Sequence, residues 1–363
     1  MAQARVAIVG AGVIGASIGL ALAREGHQVT FIDRAAGPGL GSTSASSAVV
    51  RFHYSTYEGA ALAWEAKHEW ERWPEFLGVP DERGLARYLQ TGVLVLDTPG
   101  FDLEQVIAHY DRLGIPRERL DATGIKAAFP YLATSKFYPP RAVSDPEFWS
   151  DPTSDLGGMY TPEGGFVDDP SLAAHNLWNA ATANGAGSRF RAEVVEVLRR
   201  DGRAHGVRLA DGSEVEADVV VNAAGPHSAA INALADVLDD FAVSTRPMRQ
   251  EVHNLGGPIT PDGELGVAVG DGDLGTYFRF APGGQILVGS QEPDCDPLEW
   301  LDDPDDYEVS PTAPIFERQS LRLARRVPDV GVPNRPTGIA GVYDVCDDWI
   351  PIYDKTSLPG YFV

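Results

Sequence analysis

Arg5-Val-Ala-Ile-Val-Gly-Ala-Gly-Val-Ile-Gly15, followed by Gln28-Val-Thr-Phe-Ile-Asp-Arg34, decides how this chain folds. Val6 to Val9 is a short apolar run of the kind that forms a buried parallel strand. Gly10, Gly12 and Gly15 follow at the spacing of a dinucleotide-binding turn. Gly10 makes the tight turn, Gly12 lets backbone amides approach a pyrophosphate, and Gly15 lets the helix pack on the strand. Val13 and Ile14, between the last two glycines, belong to the same candidate cofactor site. Residues 16–24 form a helix pattern stopped by Gly26, and residues 28–32 a second strand. Asp33, at its end, is placed to accept hydrogen bonds from an adenosine ribose. The glycines alone are a weak signal; with strand, helix, strand and acid in order they are a strong one.

The chain of 363 residues is long enough for a large core and two domains. Its 52 acidic and 29 basic residues give a net charge of −23, which argues against binding nucleic acid or an anionic membrane surface. No apolar run approaches the roughly 20 residues that span a bilayer. The cysteines, Cys295 and Cys346, form no CxxC, so neither a disulfide framework nor a metal site is expected. A reducing, cytoplasmic location follows. The first strand starts within five residues, so no signal peptide is expected.

Further along, residues 35–57 are rich in Gly, Ser and Ala, and 58–77 read as helix. Residues 92–96 read as strand and 103–113 as helix. Residues 134–157 read as a long loop. Asp169 caps a helix running to Ala183. Strands are expected at 194–198, 206–209 and 215–221, and strand-like stretches within 244–290. Residues 293–312 read as an acidic surface loop and 321–327 as helix.

The strand Asp218-Val-Val-Val-Asn-Ala-Ala-Gly-Pro226 ends in small residues that let backbone approach a cofactor closely. Together with the opening unit it resembles the flavin-dependent D-amino-acid oxidase superfamily, which includes glycine oxidase, sarcosine oxidase and the dimethylglycine dehydrogenases. The resemblance covers nearly the whole chain. It also rests on Gly41-Ser-Thr-Ser-Ala-Ser-Ser47 with Arg51, on Tyr160-Thr-Pro-Glu-Gly-Gly-Phe-Val-Asp168, on Arg246-Pro-Met-Arg-Gln-Glu251, and on Gly341-Val-Tyr-Asp344 with Asp348 and Pro359-Gly360. The Ser-rich run after the ribose acid favours FAD over NAD.

The resemblance implies an α/β fold. A doubly wound, Rossmann-like FAD-binding domain of the glutathione-reductase type (1–90, 158–243 and 335–363) is interleaved with a mixed-sheet α+β substrate domain (91–157 and 244–334). Gly10, Gly12, Gly15 and Asp33 would hold adenosine and pyrophosphate, with Arg34 near the adenine. Thr43, Ser44 and Ser47 would pass the pyrophosphate and flavin ring. Val194 would meet the adenine through its backbone, and Ala224 and Gly225 would lie beside the cofactor.

The implied chemistry moves a hydride from a carbon beside an amine nitrogen onto flavin. The protein binds and orients while the cofactor reacts. The substrate carboxylate needs an anchor, which a planar guanidinium supplies best. Arg51, in Val49-Val-Arg-Phe-His-Tyr54, resembles the carboxylate-binding arginine of sarcosine oxidase. Tyr277 and Arg279 share one strand face in Gly275-Thr-Tyr-Phe-Arg-Phe280, where amino-acid oxidases place an active-site tyrosine. His53 is a further proton-accepting candidate; Arg246 and Arg249 suit a salt-bridged scaffold. The loop at 134–157, with Phe148 and Trp149, is expected to lie over the site.

Three departures from the pattern matter. Sarcosine oxidase attaches its flavin through a cysteine two residues before the tyrosine matched by Tyr343, and Gly341 stands there, with Cys346 five residues on. The loop Thr43-Ser-Ala-Ser46 lacks the flavin-linking histidine of dimethylglycine-type enzymes, so FAD is expected to be non-covalent. Leu287 stands where sarcosine oxidase has an oxygen-activating lysine, which leans towards a dehydrogenase or slow oxidase. The electron acceptor is then O2, a quinone or an electron-transfer protein. Family members continue past the strand at Tyr361-Phe-Val363 with a glycine-rich turn and helix, and the natural chain is expected to do the same. The competing readings are a 2-hydroxy-acid dehydrogenase, a silent flavin or electron-relay subunit with a partner chain, and a nicotinamide-dependent dehydrogenase.

Overall fold

The computed structural model describes residues 3–258 and 265–363. The stretch 259–264 of the strand-rich reading lies outside the described residues. β1 (Arg5–Val9), α1 (Val13–Arg24) and β2 (Gln28–Asp33) follow one another as their residues require. β1 runs parallel to β2, with Val9 opposite Ile32, and to Val219–Asn222, with Val9 opposite Asn222. Gly187–Phe190 extends this sheet beyond β2, and Tyr361–Phe362 extends it on the other side, all parallel.

Both faces of this parallel sheet are covered, which is why its strands read as unbroken apolar runs. Val6, Ile8 and Phe31 pack with Ala16 and Leu20 of α1 and with Ala173, Leu177 and Ala180 of the helix Pro170–Ala183. That helix begins at the expected cap, where the Asp169 side chain accepts from the Leu172 N–H at 2.8 Å. Ala7, Val9 and Ile32 meet Val197 and Val207 of an antiparallel three-stranded sheet on the other face.

The strand expected at 215–221 is two strands. Glu214–Glu216 pairs in the antiparallel sheet and Val219–Asn222 in the parallel one. The backbone changes partner between them: the Ala217 N–H donates to the His205 carbonyl, and the Asp218 N–H to the Arg5 carbonyl. The helix expected at 58–77 likewise divides at Arg72 into Tyr57–Glu71 and Trp73–Leu77, with Pro74 in the first turn of the second piece.

Among the described residues a second, nine-stranded mixed sheet has Val93–Leu96, Gly158–Thr161, Ala268–Asp271, Thr276–Ala281, Gln285–Ser290 and Thr245–Gly256 at its centre. Gly338–Cys346 pairs along almost the whole of Thr245–Gly256. Ala313–Arg326, far longer than the helix expected at 321–327, contributes Phe316 and Leu323 to the core of this sheet. Arg326 is fully buried there, with Nε 2.7 Å from Asp271 and Nη2 2.9 Å from Asp273. The two sheets together form an α/β architecture with a Rossmann-like parallel sheet. No helix among the described residues is long and apolar enough to cross a membrane.

Candidate active site

The glycine turn brings three segments to one place. Gly10 has φ +103°, and a Cβ there would lie 2.2 Å from the Ala223 carbonyl oxygen. A Cβ on Gly15 would lie 2.0 Å from the Gly10 carbonyl oxygen. Only glycine therefore allows β1, α1 and the end of Val219–Asn222 to meet this closely. Gly12 is the N-cap of α1, with no capping side chain and no acid in the first turn. The helix dipole, and first-turn amides that Gly12 itself leaves uncapped, make that end suitable for an anion. Asp33 stiffens the turn: one carboxylate oxygen accepts the Ala11 N–H at 2.7 Å, the other the Ala35 N–H at 2.8 Å. Thr43 Oγ1 accepts the Val13 N–H at 3.1 Å, which ties the Ser-rich loop to α1.

A cavity of about 1010 Å³ opens above this turn. Gly10, Gly12, Val13, Ile14, Asp33, Arg34, Thr43, Ser44, Val194, Ala224 and Gly225 all line it. Gly15 and Ser47 do not: Gly15 lies against Gly10, and Ser47 is buried behind the wall. The acidic loop, read from sequence as plain surface, supplies Pro304, Asp305 and Tyr307 to the wall. Arg34 is engaged by Asp305 in a two-pronged ion pair, with His227 Nε2 2.8 Å from its guanidinium. No residue of 134–157 lines this cavity. That loop is fastened instead to the nine-stranded sheet and the helix Ala313–Arg326, with Asp273 accepting the Phe137 and Tyr138 N–H groups.

Beyond the Ser-rich loop, Tyr277 and Arg279 do share a face, and both reach Ser47. The Tyr277 hydroxyl is 2.9 Å from Ser47 Oγ. Arg279 Nε donates to the Ser47 carbonyl at 2.6 Å, and its guanidinium lies 4.0 Å from the centre of the Phe166 ring. Burial without a close carboxylate lowers the Arg279 pKa to about 10. Burial raises that of Tyr277, which also hydrogen-bonds Tyr343. Tyr343 is pushed well up, first by the Tyr277 charge and then by burial.

Arg51 is near enough to Tyr343 for its positive charge to act on that hydroxyl. Its Nη1 donates to the His53 carbonyl at 2.9 Å, and its guanidinium lies 4.3 Å from the centre of the Tyr54 ring. It is half-buried, and among the described residues no carboxylate pairs with it. His53 is held well below its usual pKa by burial and by Arg51, so it is neutral. Arg249 is scaffold: it pairs with Glu251 at 2.7 Å and Glu299 at 2.9 Å. Arg246 covers the Trp300 ring at 4.5 Å.

Sequence reading missed Glu292, a single acid in a Pro- and Asp-rich stretch. It has φ +47°, its Oε1 is buried without a hydrogen-bond partner, and burial raises its pKa to about 8. Nothing local in the sequence distinguishes it from its acidic neighbours. Among the described residues no cluster of His, Cys, Asp and Glu could hold a metal ion.

Comparison with known proteins bears on the family and the fold. D-amino acid dehydrogenase 2 of Ralstonia nicotianae is 25% identical over 262 residues, 62% of this chain and 61% of that protein's own length. Glycine oxidase of Geobacillus kaustophilus is 25% identical over 365 residues, covering 99% of this chain and 86% of that one. The crystal structure of L-proline dehydrogenase from P. horikoshii superposes with a TM-score of 0.79 at 20% identity, covering 99% of this chain and 87% of that one. The profile described as FAD dependent oxidoreductase (DAO) matches residues 5–363, so the chain belongs to that family of flavin enzymes.

Proposed function

We propose that this enzyme oxidises the C–N bond of a small amino acid or secondary amine, N-methylated or cyclic, by hydride transfer to a non-covalently held FAD. Arg51 carries the reading. A half-buried guanidinium with no carboxylate partner, its charge acting on the Tyr343 hydroxyl, is a ready anchor for a substrate carboxylate. The names of the relatives, D-amino acid dehydrogenase, glycine oxidase and L-proline dehydrogenase, point to the same substrate class.

The residues present fit FAD. The turn has no room for a Cβ at Gly10, Gly12 offers no capping side chain and Thr43 takes only the Val13 N–H of α1, and a carboxylate ends β2. The cavity, about 1010 Å³, is at the upper end for small-molecule sites. Gly10, Gly12, Val13 and Ile14 would hold the pyrophosphate, and Asp33 the ribose. Arg34 and Val194 would flank the adenine, and Thr43, Ser44, Ala224 and Gly225 would line the path to the flavin. Gly15 and Ser47 would act from behind the wall. When bound, FAD supplies the two-electron acceptor. Arg51 would orient the substrate, while the Tyr277–Tyr343 pair would exclude water and fix the reacting carbon. Arg279, with Ser47, would position Tyr277.

Non-covalent attachment is supported by Gly341, where a Cβ would already stand 2.6 Å from Ala45 Cβ and leave no space for a thioether. Leu287 pairs across from Arg279, on the face that carries Tyr277, and offers no charge to a developing superoxide. That favours a quinone or electron-transfer protein over O2 as acceptor. The two sheets support a discontinuous FAD domain and a substrate domain, with Gly158–Thr161 and Gly338–Cys346 counted with the latter because they pair in its sheet. The free thiols of Cys295 and Cys346 suit a cytoplasmic location.

The test is the absorption spectrum of the purified protein before and after acid precipitation, followed by anaerobic addition of amino acids and 2-hydroxy acids. Yellow colour released to the supernatant and bleached by amino acids is the expected result. Colour retained in the pellet would overturn the non-covalent link. A flavin reduced only by hydroxy acids would overturn the substrate class.

A further inference from the structure

We propose that Glu292 is the second charged contact of the substrate site. It receives the substrate's amine nitrogen while Arg51 holds the carboxylate, so the site selects amino acids over oxygen analogues of the same shape. This rests on the amine-oxidising reading above and names the residue that enforces it.

The strand Gln285–Ser290 fixes where Glu292 lies. Gly289 stands opposite Tyr277, so close that a Cβ on it would be 2.7 Å from the Tyr277 hydroxyl oxygen. The chain then turns sharply. The Gln291 N–H donates to the Gly275 carbonyl at 3.1 Å, and the Glu292 N–H to Ser290 Oγ at 3.0 Å. Pro293 locks the next step against Gly275. Glu292 is thus held at the edge of the tyrosine pair in a left-handed backbone conformation that a non-glycine residue rarely adopts.

Two local rules are broken at this one residue. The backbone is strained, and a buried carboxyl oxygen has no donor. Each costs stability, and neither is repaired by a neighbouring side chain. Such breaches concentrate where a ligand completes the structure. No arginine, lysine or histidine pairs with Glu292 among the described residues, which leaves this oxygen free to receive a donor from a bound ligand.

The charges nearby say which donor. Tyr343 feels the positive charge of Arg51 and the negative charge of Glu292 at once. Both charges therefore act on one hydroxyl, which hydrogen-bonds Tyr277, and the Asp296 charge adds to that of Glu292. A zwitterion matches that arrangement, its carboxylate towards Arg51 and its ammonium towards Glu292. An ether or hydroxyl oxygen brings no charge to the carboxylate, and an ether brings no proton. Sites built around a buried polar group reject analogues that leave it unpaired.

The test uses the FAD-loaded full chain at about pH 9, where Glu292 is ionised. The probes are N-methylglycine and proline against methoxyacetate and tetrahydrofuran-2-carboxylate. Amine affinity is read from the concentration dependence of anaerobic flavin reduction, and ether affinity from the shift of the flavin spectrum. Retained FAD, followed by fluorescence, shows that each variant is folded. Glu292→Gln and Glu292→Leu should both weaken amine affinity about tenfold or more and leave ether affinity nearly unchanged. Arg51→Gln should weaken both classes. Amine affinity unchanged in both Glu292 variants, or equal loss of amines and ethers, would overturn the assignment while leaving the Arg51 reading intact. If neither class perturbs the flavin and Arg51→Gln changes nothing, the amine-oxidising reading falls with it.

Discussion

The Tyr277 hydroxyl lies 2.9 Å from Ser47 Oγ, across 230 residues of sequence. This contact fastens the Ser-rich loop that follows β2 to the nine-stranded sheet, and Arg279 repeats it through the Ser47 carbonyl. Tyr277→Phe removes one partner and leaves the Ser47 hydroxyl to find another. We expect a stability loss of about 1 kcal/mol, the usual net value of such a hydrogen bond. Because Tyr277 also touches Tyr343, flavin reduction should slow about tenfold or more while FAD affinity holds. Thermal melts and anaerobic stopped-flow reduction, compared with Ser47→Ala, check both halves. An unchanged reduction rate would make the tyrosine a structural strut only.

Asp33 has two duties, and one substitution separates them from a plain ribose contact. Both its oxygens already accept backbone N–H groups, from Ala11 and Ala35. Asp33→Asn replaces one acceptor by a donor, so one of those N–H groups loses its partner. The expected cost is about 1–3 kcal/mol of stability in addition to weaker FAD binding. The check is the apoprotein melt alongside FAD fluorescence titration. Loss of FAD affinity with an unchanged apoprotein melt would mean that the turn does not depend on Asp33.

Which parts of this molecule could be read in advance follows from where the information lies. β1, α1, β2 and the strand Val219–Asn222 were legible because each is a local pattern ended by glycine or small residues. Ser47, Tyr277 and Arg279 were each named from sequence, but their meeting was not, because it depends on the register of strands distant in the chain. The helix Ala313–Arg326 was read only from Leu321 onward. Ahead of that point its buried face carries Gln319 and Ser320 beside Phe316, and buried polar residues look like surface until their neighbours are known. Pro304, Asp305 and Tyr307 read as solvent loop for the same reason, since the loop that reaches the cavity has the composition of one that does not.

Arg34 and Asp305, both lining the cavity, are joined in an ion pair, with His227 beside them. Both side chains are about half exposed, so the pair contributes little to folding stability. Its effect should be on exchange. Asp305→Ala should leave the melting temperature within a degree or so, but speed FAD release severalfold, and added salt should speed release from the unsubstituted chain. FAD dissociation followed by fluorescence at low and high salt is the measurement. A release rate indifferent to both would remove the loop from any part in cofactor retention.

Arg326 is the counter-case, a buried ion pair whose loss is costly. Its guanidinium meets Asp271 and Asp273 and also donates to the Ala133 and Ser135 carbonyls, at 2.6 and 2.9 Å. Arg326→Met leaves two buried carboxylates unpaired and frees the start of the 134–157 loop. A loss of about 3–5 kcal/mol is expected in urea unfolding. Proteolysis should then begin within that loop. A smaller loss with the loop still protected would show that Asp273, which accepts the Phe137 and Tyr138 N–H groups, is anchor enough.

Glu292 makes a prediction of opposite sign. Burial raises its carboxyl from an ordinary 4.5 to about 8, with the Asp296 charge adding to the effect. Between those values the folded chain holds a proton that the unfolded chain has released. Stability therefore falls as pH rises. The contribution is fully present below the unfolded value and is lost as pH passes through about 8. Glu292→Gln cannot ionise, so it should melt together with the unsubstituted chain near the unfolded value and several degrees above it at about pH 9. The measurement is the difference in melting temperature between the two chains as a function of pH, which cancels every other titrating group. A difference that does not grow with pH would mean the carboxyl is ionised without strain. The same substitution is expected to weaken amine binding. A chain that gains stability and loses selectivity from one change would hold Glu292 in a costly conformation for the sake of its ligand.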